Sequence, residues 1–242
     1  MPVRSPDRRQ LRERARPPTE RELADIPWLG MLSEADRQDV VNHLAVSTAE
    51  PGERVCRFGR ASTLWFGVID GMLKMSNNAA GGAQITYTGL PPGAWFGEGT
   101  LLKREVYRYN IEALRRSTVA GLPSEVFHQL LDRSIPFNRF VVNQLNERLG
   151  QFIAAREIDR QTHPDARVAR NLAALFHPLL YPGVGQWLRI TQQELGYLVG
   201  LSRQRVNQAL SALQTAQLIR IEYGGVRVLD LDRLRQYSPP EN

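Results

Sequence analysis

The 242-residue chain is 42% apolar and 23% charged, enough for one large domain or two modest ones, each with its own core. Its net charge of +6, carried almost wholly by arginine, suits a polyanionic partner, and the single cysteine, Cys56, excludes both an internal disulfide framework and a four-thiolate iron–sulfur centre. No stretch approaches the ~20 apolar residues that span a bilayer and no signal-peptide pattern is present, so the expected location is the cytoplasm with no membrane partner.

Residues 1–21 set Arg4, Arg8, Arg9, Arg12, Arg14, Arg16 and Arg21 among prolines with little to bury. The expectation is a basic disordered tail, either simply solvated or an arm touching DNA. Residues 22–134 read as one domain. The pattern is helical from Leu23 to Leu44, with Leu29, Leu32, Val40, Val41 and Leu44 as buried positions and Ser33, Glu34 and Asp36 marking a helix start. From Pro51-Gly52 to Leu122, short extended runs alternate with Gly and Pro turns: Leu64, Phe66 and Val68, then Met72 to Ser76, a tip at Asn77 to Gly82, Gln84 to Leu90, and Pro91-Pro92-Gly93. This predicts an antiparallel sandwich or small jelly roll. Within it stands Trp95-Phe96-Gly97-Glu98, with Arg108 ten residues past the glutamate. Such a glycine lets backbone amides approach a phosphate, the carboxylate accepts from ribose hydroxyls, and the arginine neutralises the phosphate. Equally, Glu98 and Arg108 can be a structural pair bracing a roll whose pocket is empty.

Ser124 to Leu131 predicts a short helix on a Ser cap, and Pro136 opens a long one assigned to residues 135–162. Val142, Leu145, Leu149 and Phe152 recur at spacings of three and four, either a dimer seam or a face packed on its own domain. His163-Pro164 should break that helix and open a last domain, 163–242. Arg167 to Leu180 is the next helix, with Val168, Leu172 and Leu175 inward. Leu188 to Leu213 then reads as two helices on a tight turn. Thr191 and Glu194 form a capping box, Gly200 takes the turn, and Ser202 caps a second helix burying Val206, Ala209, Leu210 and Leu213. Arg203, Gln204, Arg205, Asn207 and Gln208 are left on its outer face, side chains that suit base edges and phosphates. Leu218 to Leu231, turning at Tyr223-Gly224-Gly225, predicts a β-hairpin wing from which Arg227 can reach a phosphate, and Asp230 caps a final helix.

The run TxxELGxLVGxSRxxVNxAL resembles the DNA-binding motif of Crp/Fnr-type bacterial transcription regulators, with Thr191, Glu194, Gly200, Ser202, Arg203 and Val206 in matching places. Gly97, Glu98 and Arg108 are similarly spaced to the phosphate-binding cassette of cyclic-nucleotide-binding domains. The resemblance implies an α+β chain: an antiparallel β-roll sensor, a long dimerisation helix and a winged helix-turn-helix. It implies a homodimer on a double-stranded DNA operator, with RNA polymerase as a further partner. Arg203, Gln204 and Gln208 would face bases, and Thr191, Gln192, Ser202 and Arg205 would hold phosphates. In that family polar residues of the long helix touch the adenine of cyclic AMP; the matching positions are Phe152 and Ile153, with Arg148 just before. Those two apolar residues depart from the pattern, as does Tyr109 where a small hydroxyl or Ala follows the arginine, and as do Gln204 and Gln208 in the reading helix. The expectation is a nucleotide-like anionic effector other than cyclic AMP. An ordinary cyclic-AMP-dependent regulator and a haem or gas sensor on the same scaffold stay open. His43, His128, His163 and His177 have no local metal-ligand or triad spacing, so no enzyme is expected.

Overall fold

Period-two alternation puts successive side chains of a strand on opposite faces of its sheet, and one sheet of this protein separates two cores in this way. The computed structural model describes residues 11–78, 84–159 and 163–239. After α1 (Glu20–Ala24) and α2 (Glu34–His43) come strands β1 (Ala45–Ala49), β2 (Arg54–Cys56), β3 (Leu64–Asp70), β4 (Leu73–Asn78), β5 (Gln84–Leu90) and β6 (Trp95–Phe96), then α3 (Glu98–Leu102), β7 (Asn110–Ala113) and β8 (Ser117–Pro123). They pair into two antiparallel four-stranded sheets, ordered β1-β8-β3-β6 and β2-β7-β4-β5. On β3, Phe66 and Val68 face the roll interior with Met75, Phe96, Ile111 and Val119. Trp65 and Ile69 face the other way, into a second core with Trp28, Trp95, Phe127 and Phe137. The Trp65 and Trp95 ring centroids lie 4.4 Å apart. Gly67 permits this, because a Cβ there would sit 2.4 Å from the Trp95 ring.

That aromatic core roots the helices that leave the roll, α4 (Ser124–Arg133) and the long α5 (Ile135–Asp159). Pro123, not Ser124, is the N-cap of α4, and no side chain caps it. The N-terminal segment corrects the expectation of a disordered tail over 11–21. Leu11–Arg14 is a 3-10 helix, Arg16 makes a two-way backbone bridge to Val46 on the edge strand β1, and Thr19 caps α1 in a capping box with Glu22. The pairing partner for this stretch is a sheet edge, which composition does not disclose. Residues 1–10 of that tail, and 79–82 of the turn after β4, lie outside the described residues.

His163 caps α6 (Pro164–Ala174), its ring nitrogen accepting from the Asp165 amide. The helix ends at Ala174, short of the expected Leu180. Then follow β9 (Trp187–Arg189), α7 (Gln192–Val199), α8 (Arg203–Thr215), the hairpin β10 (Ile219–Glu222) and β11 (Gly225–Val228), and α9 (Leu231–Arg235), capped by Asp230. The wing is a three-stranded sheet ordered β10-β11-β9, so β9 adds a strand not anticipated from sequence. No helix among the described residues is long and apolar enough to cross a membrane.

The roll and the winged helix share one continuous apolar core. Gly89 of β5 leaves room for Leu175 and Leu198, whose methyls would lie 2.8 Å from a Cβ at that position. Arg115, in the turn between β7 and β8, reaches across to the capping glutamate of α7. Its Nη1 donates to both Glu194 carboxylate oxygens at 2.9 Å, and its Nη2 donates to Gly71 O at 3.1 Å and Arg189 O at 2.7 Å.

Candidate functional site

The inner stripe of α5 carries Phe137, Val141 and Leu145 into the aromatic core and, near its middle, one buried cation. Arg148 is 8% exposed and Glu98, at the start of α3, 3%. Gly97, at φ +97°, turns the chain so that α3 begins with Glu98 pointing inward. Arg148 Nε donates to Glu98 Oε1 at 3.2 Å, and its Nη2 donates to Trp95 O at 2.8 Å. Burial alone would lower the guanidinium pKa; Glu98, then Tyr181 and Tyr109, outweigh it and raise the value, so Arg148 stays charged. The remaining Glu98 Oε2 and Arg148 Nη1 are closed to solvent and have no hydrogen-bond partner among the described residues. Both residues line a cavity of about 1010 Å³ between the roll, α5 and the winged helix.

The alternative in which Glu98 and Arg108 form a structural pair is therefore corrected: Arg148 takes the glutamate, and Arg108 lines the same cavity apart from it. Arg108 stands at the rim, its side chain 74% exposed, with Nη2 3.1 Å from Glu105 Oε2, and Lys103 shares that carboxylate at 3.0 Å. The reason is distance along the fold. Glu98 starts a helix turned toward α5, whereas Arg108 lies in the surface loop before β7. Tyr109 lines the cavity, and burial pushes its phenol pKa up, so it presents a neutral hydroxyl. Phe152 also lines it, while Ile153, 59% exposed, does not. Burial pushes the Cys56 thiol up to about 12, which leaves no reactive thiolate near neutral pH.

The same division of faces corrects the seam on α5. Val142 (57% exposed) and Leu149 (60%) lie outward as expected, joined by Ile135 (68%) and Ile153. Leu145 instead packs against the aromatic core. An outward row at 135, 142 and 149 repeats every seven residues, the period of a coiled-coil seam.

In the helix-turn-helix, Thr191 and Glu194 form the capping box, Gly200 takes φ +68°, and Ser202 caps α8 by accepting from Arg205 N. Gly196 has a role that sequence reading left unassigned. A Cβ there would lie 2.8 Å from Leu201 O, so this glycine sets how closely the two helices meet. Ser202, Arg203, Gln204, Asn207 and Gln208 are exposed along one face of α8. Gln192 bridges the helices, donating to Asn207 Oδ1 at 2.8 Å and accepting from Arg203 Nε at 3.4 Å. Two expected phosphate contacts are already engaged within the chain. Arg205 Nη1 lies 2.6 Å from Asp165 Oδ1 of α6, and Arg227 Nε donates to Glu222 Oε1 at 2.7 Å across the wing. Arg220, directly opposite Arg227 in the hairpin register, is exposed on the same face, and Tyr223 projects fully at the tip. Neither was anticipated, because which wing residues share a face depends on register.

Residues 46–134 match the family model of the cyclic nucleotide-binding domain, and residues 166–237 that of the Crp-like helix-turn-helix domain. The chain is 27% identical to the cAMP-activated global transcriptional regulator CRP of Haemophilus influenzae over 66% of its length and 72% of that protein's. It is 28% identical to the cyclic AMP receptor protein of Thermus thermophilus over 71% and 77% respectively. Among solved structures, FixK2 from Bradyrhizobium japonicum superposes with a TM-score of 0.65 at 14% identity, covering 82% of this chain and 99% of that one, a likeness of fold. With a nucleotide-binding-type roll, a long helix and a Crp-like DNA-binding domain in this order on one chain, the protein belongs to the Crp/Fnr family of transcription regulators.

Proposed function

We propose that the protein is a homodimeric, sequence-specific DNA-binding regulator controlled by an anionic, nucleotide-like effector held in the cavity behind Glu98. The observation that carries the effector is the pair of unpartnered buried atoms, Glu98 Oε2 and Arg148 Nη1. A purely structural carboxylate–guanidinium pair would close in a two-bond fork, since each buried unmet group costs about 1–3 kcal/mol. In the wall of the cavity, the pair offers one unmet acceptor and one unmet charged donor, which a ribose hydroxyl and a phosphate oxygen would satisfy together once a small side-chain movement exposes them. Phe152 and Tyr109 supply no small hydroxyl and no base-facing polar group from α5, and each lost bond to a charged group costs about 1.5–3 kcal/mol. The effector is accordingly one other than cyclic AMP. Dimerisation rests on the outward apolar row Ile135, Val142 and Leu149, which one protomer leaves uncovered, and RNA polymerase is the further partner expected of a regulator of this family.

On DNA, Arg203, Gln204, Asn207 and Gln208 face base edges, Thr191, Gln192 and Ser202 approach phosphates, and Arg205 and Arg227 do so by exchanging an internal carboxylate for a phosphate. Arg203 lies one residue past the cap of α8, where side chains of a reading helix enter the major groove. Arg203→Ala should cost about 1–3 kcal/mol on a duplex that the protein has selected from a random pool, and far less on scrambled DNA. Anisotropy titrations on the two duplexes check this; equal losses on both would reduce Arg203 to a phosphate contact and remove the base-reading assignment.

A further inference from the structure

The Glu98 cavity lies on the β5 and β6 side of the roll. On the other side the two sheets end in β1 and β2, each the edge strand of its sheet, and between them is a second cavity of about 990 Å³. Alternation sets Leu64 and Phe66 of β3, and Val119 and Gly121 of β8, on inner faces, and all four line this cavity, with Val55 of β2 beside them. Leu64 and Phe66 remain partly exposed although they face inward, so the apolar interior of the roll is uncovered here rather than closed. The N-terminal segment spans part of the opening: Leu11 O accepts from Ser47 Oγ of β1 at 2.8 Å, and Arg14 pairs with Glu53 ahead of β2. Polar groups of the wall are already served. The Tyr107 hydroxyl accepts from Ser62 Oγ at 2.9 Å and donates to Leu64 O at 3.3 Å, and burial keeps this phenol and the Cys56 thiol neutral.

The rim is charged, and with one sign. Arg54, Arg57 and Arg60 are exposed along its β2 side, and the same three arginines line a smaller cavity of about 430 Å³ next to it, with Phe58. Arg54 shares Glu112 with Lys74, at 3.9 and 3.3 Å, and Glu53 is taken by Arg14. Arg57 and Arg60 have no acidic partner among the described residues. An uncovered apolar floor below unpaired cations fits a ligand that is apolar at one end and anionic at the other. A wholly polar polyanion would leave the floor bare. Residues 1–10 of the chain, with Arg4, Arg8 and Arg9 against Asp7, carry the wrong sign for the rim.

We infer that the cavity between β1 and β2 binds an alkyl-chain acid, a single-chain carboxylate or phosphate monoester, with its chain on Leu64, Phe66 and Val119 and its head group at Arg57 and Arg60. The volume lies within the ~300–1,000 Å³ usual for small-molecule sites, and the mouth of a β-roll is a common place for one. The planar guanidinium forks suit either head group. The site lies across the roll from Glu98 and Arg148 and does not depend on what they hold.

Calorimetric titration of the full chain with octanoate, decanoate and decyl phosphate, all below their micelle concentrations, tests this against decanol, inorganic phosphate and phosphatidylglycerol vesicles. Decanoate and decyl phosphate should bind saturably, one per protomer. Each buried methylene is worth about fourfold in affinity, so decanoate should bind tenfold or more tightly than octanoate. Decanol and inorganic phosphate should each bind at least tenfold more weakly than decyl phosphate. Arg57→Gln combined with Arg60→Gln should weaken decanoate tenfold or more. Arg37→Gln combined with Arg233→Gln, on α2 and α9, removes the same charge elsewhere and should change nothing; circular dichroism would show both variants folded. Phosphate binding as tightly as decyl phosphate, or no gain from octanoate to decanoate, would reduce the site to a surface anion patch and overturn the proposal. So would the absence of saturable binding, or equal binding by the Arg57 and Arg60 variant. Binding of vesicles without binding of the monomeric acids would make this face a membrane contact and remove the cavity assignment.

Discussion

Arg115→Met should destabilise the attachment of the DNA-binding domain to the roll by about 3–5 kcal/mol, the usual effect of stripping one partner from a buried ion pair. Glu194 is 6% exposed, and Arg115 is its only cationic partner among the described residues. One Glu194 oxygen also accepts from Thr191 N at 2.7 Å, so the carboxylate cannot turn away to water without opening the capping box. Two further carbonyls, Gly71 O and Arg189 O, lose their donor at the same time. Chemical unfolding followed by amide exchange should show α7 and the wing opening well before the roll. Glu194→Gln in the same chain removes the stranded charge but keeps an acceptor for Thr191, so the double variant should recover much of the loss, a coupling that a simple packing defect would not show. A single variant losing under about 1 kcal/mol would mean that apolar packing of Leu175 and Leu198 at Gly89, not the ion pair, holds the domains together.

Leu149→Glu should give a folded monomer. In one protomer Leu149 is largely exposed, so the substitution leaves each subunit's packing intact; across a two-fold seam it places like charges in an apolar strip and removes about 1.5–3 kcal/mol of burial from each chain. Leu145→Glu is the contrasting case. Leu145 packs against the aromatic core, so that change should unfold the protomer rather than separate two of them. Sedimentation and circular dichroism together distinguish the outcomes. A dimer of normal affinity with Leu149→Glu would move the interface off the outward row.

What could be read in the sequence was local. The capping box at Thr191, the cap at Ser202 and the turn at Gly200 each act over three or four residues, and the structure has each of them. The roll was legible through strand alternation and Gly/Pro turns. What escaped was non-local. Arg115 and Glu194 are 79 residues apart, and nothing near either marks the other as its partner. Glu98 and Arg148, 50 residues apart, met in place of the nearer Glu98 and Arg108, because α5 folds back over the start of α3. Leu145 and Leu149 fit one apolar spacing equally well. Helix α5 is covered on one side by its own protomer and bare on the other, and sequence periodicity cannot say which stripe is which.

The most direct test of the regulator account is selection of binding sites by the full chain from a random duplex pool at near-physiological salt. The account predicts enrichment of an inverted repeat, its half-sites centred about 10–10.5 bp apart or a multiple of that, as a symmetric pair of reading helices demands. Recovery of a single unpaired half-site, or of no consensus at all, would contradict it.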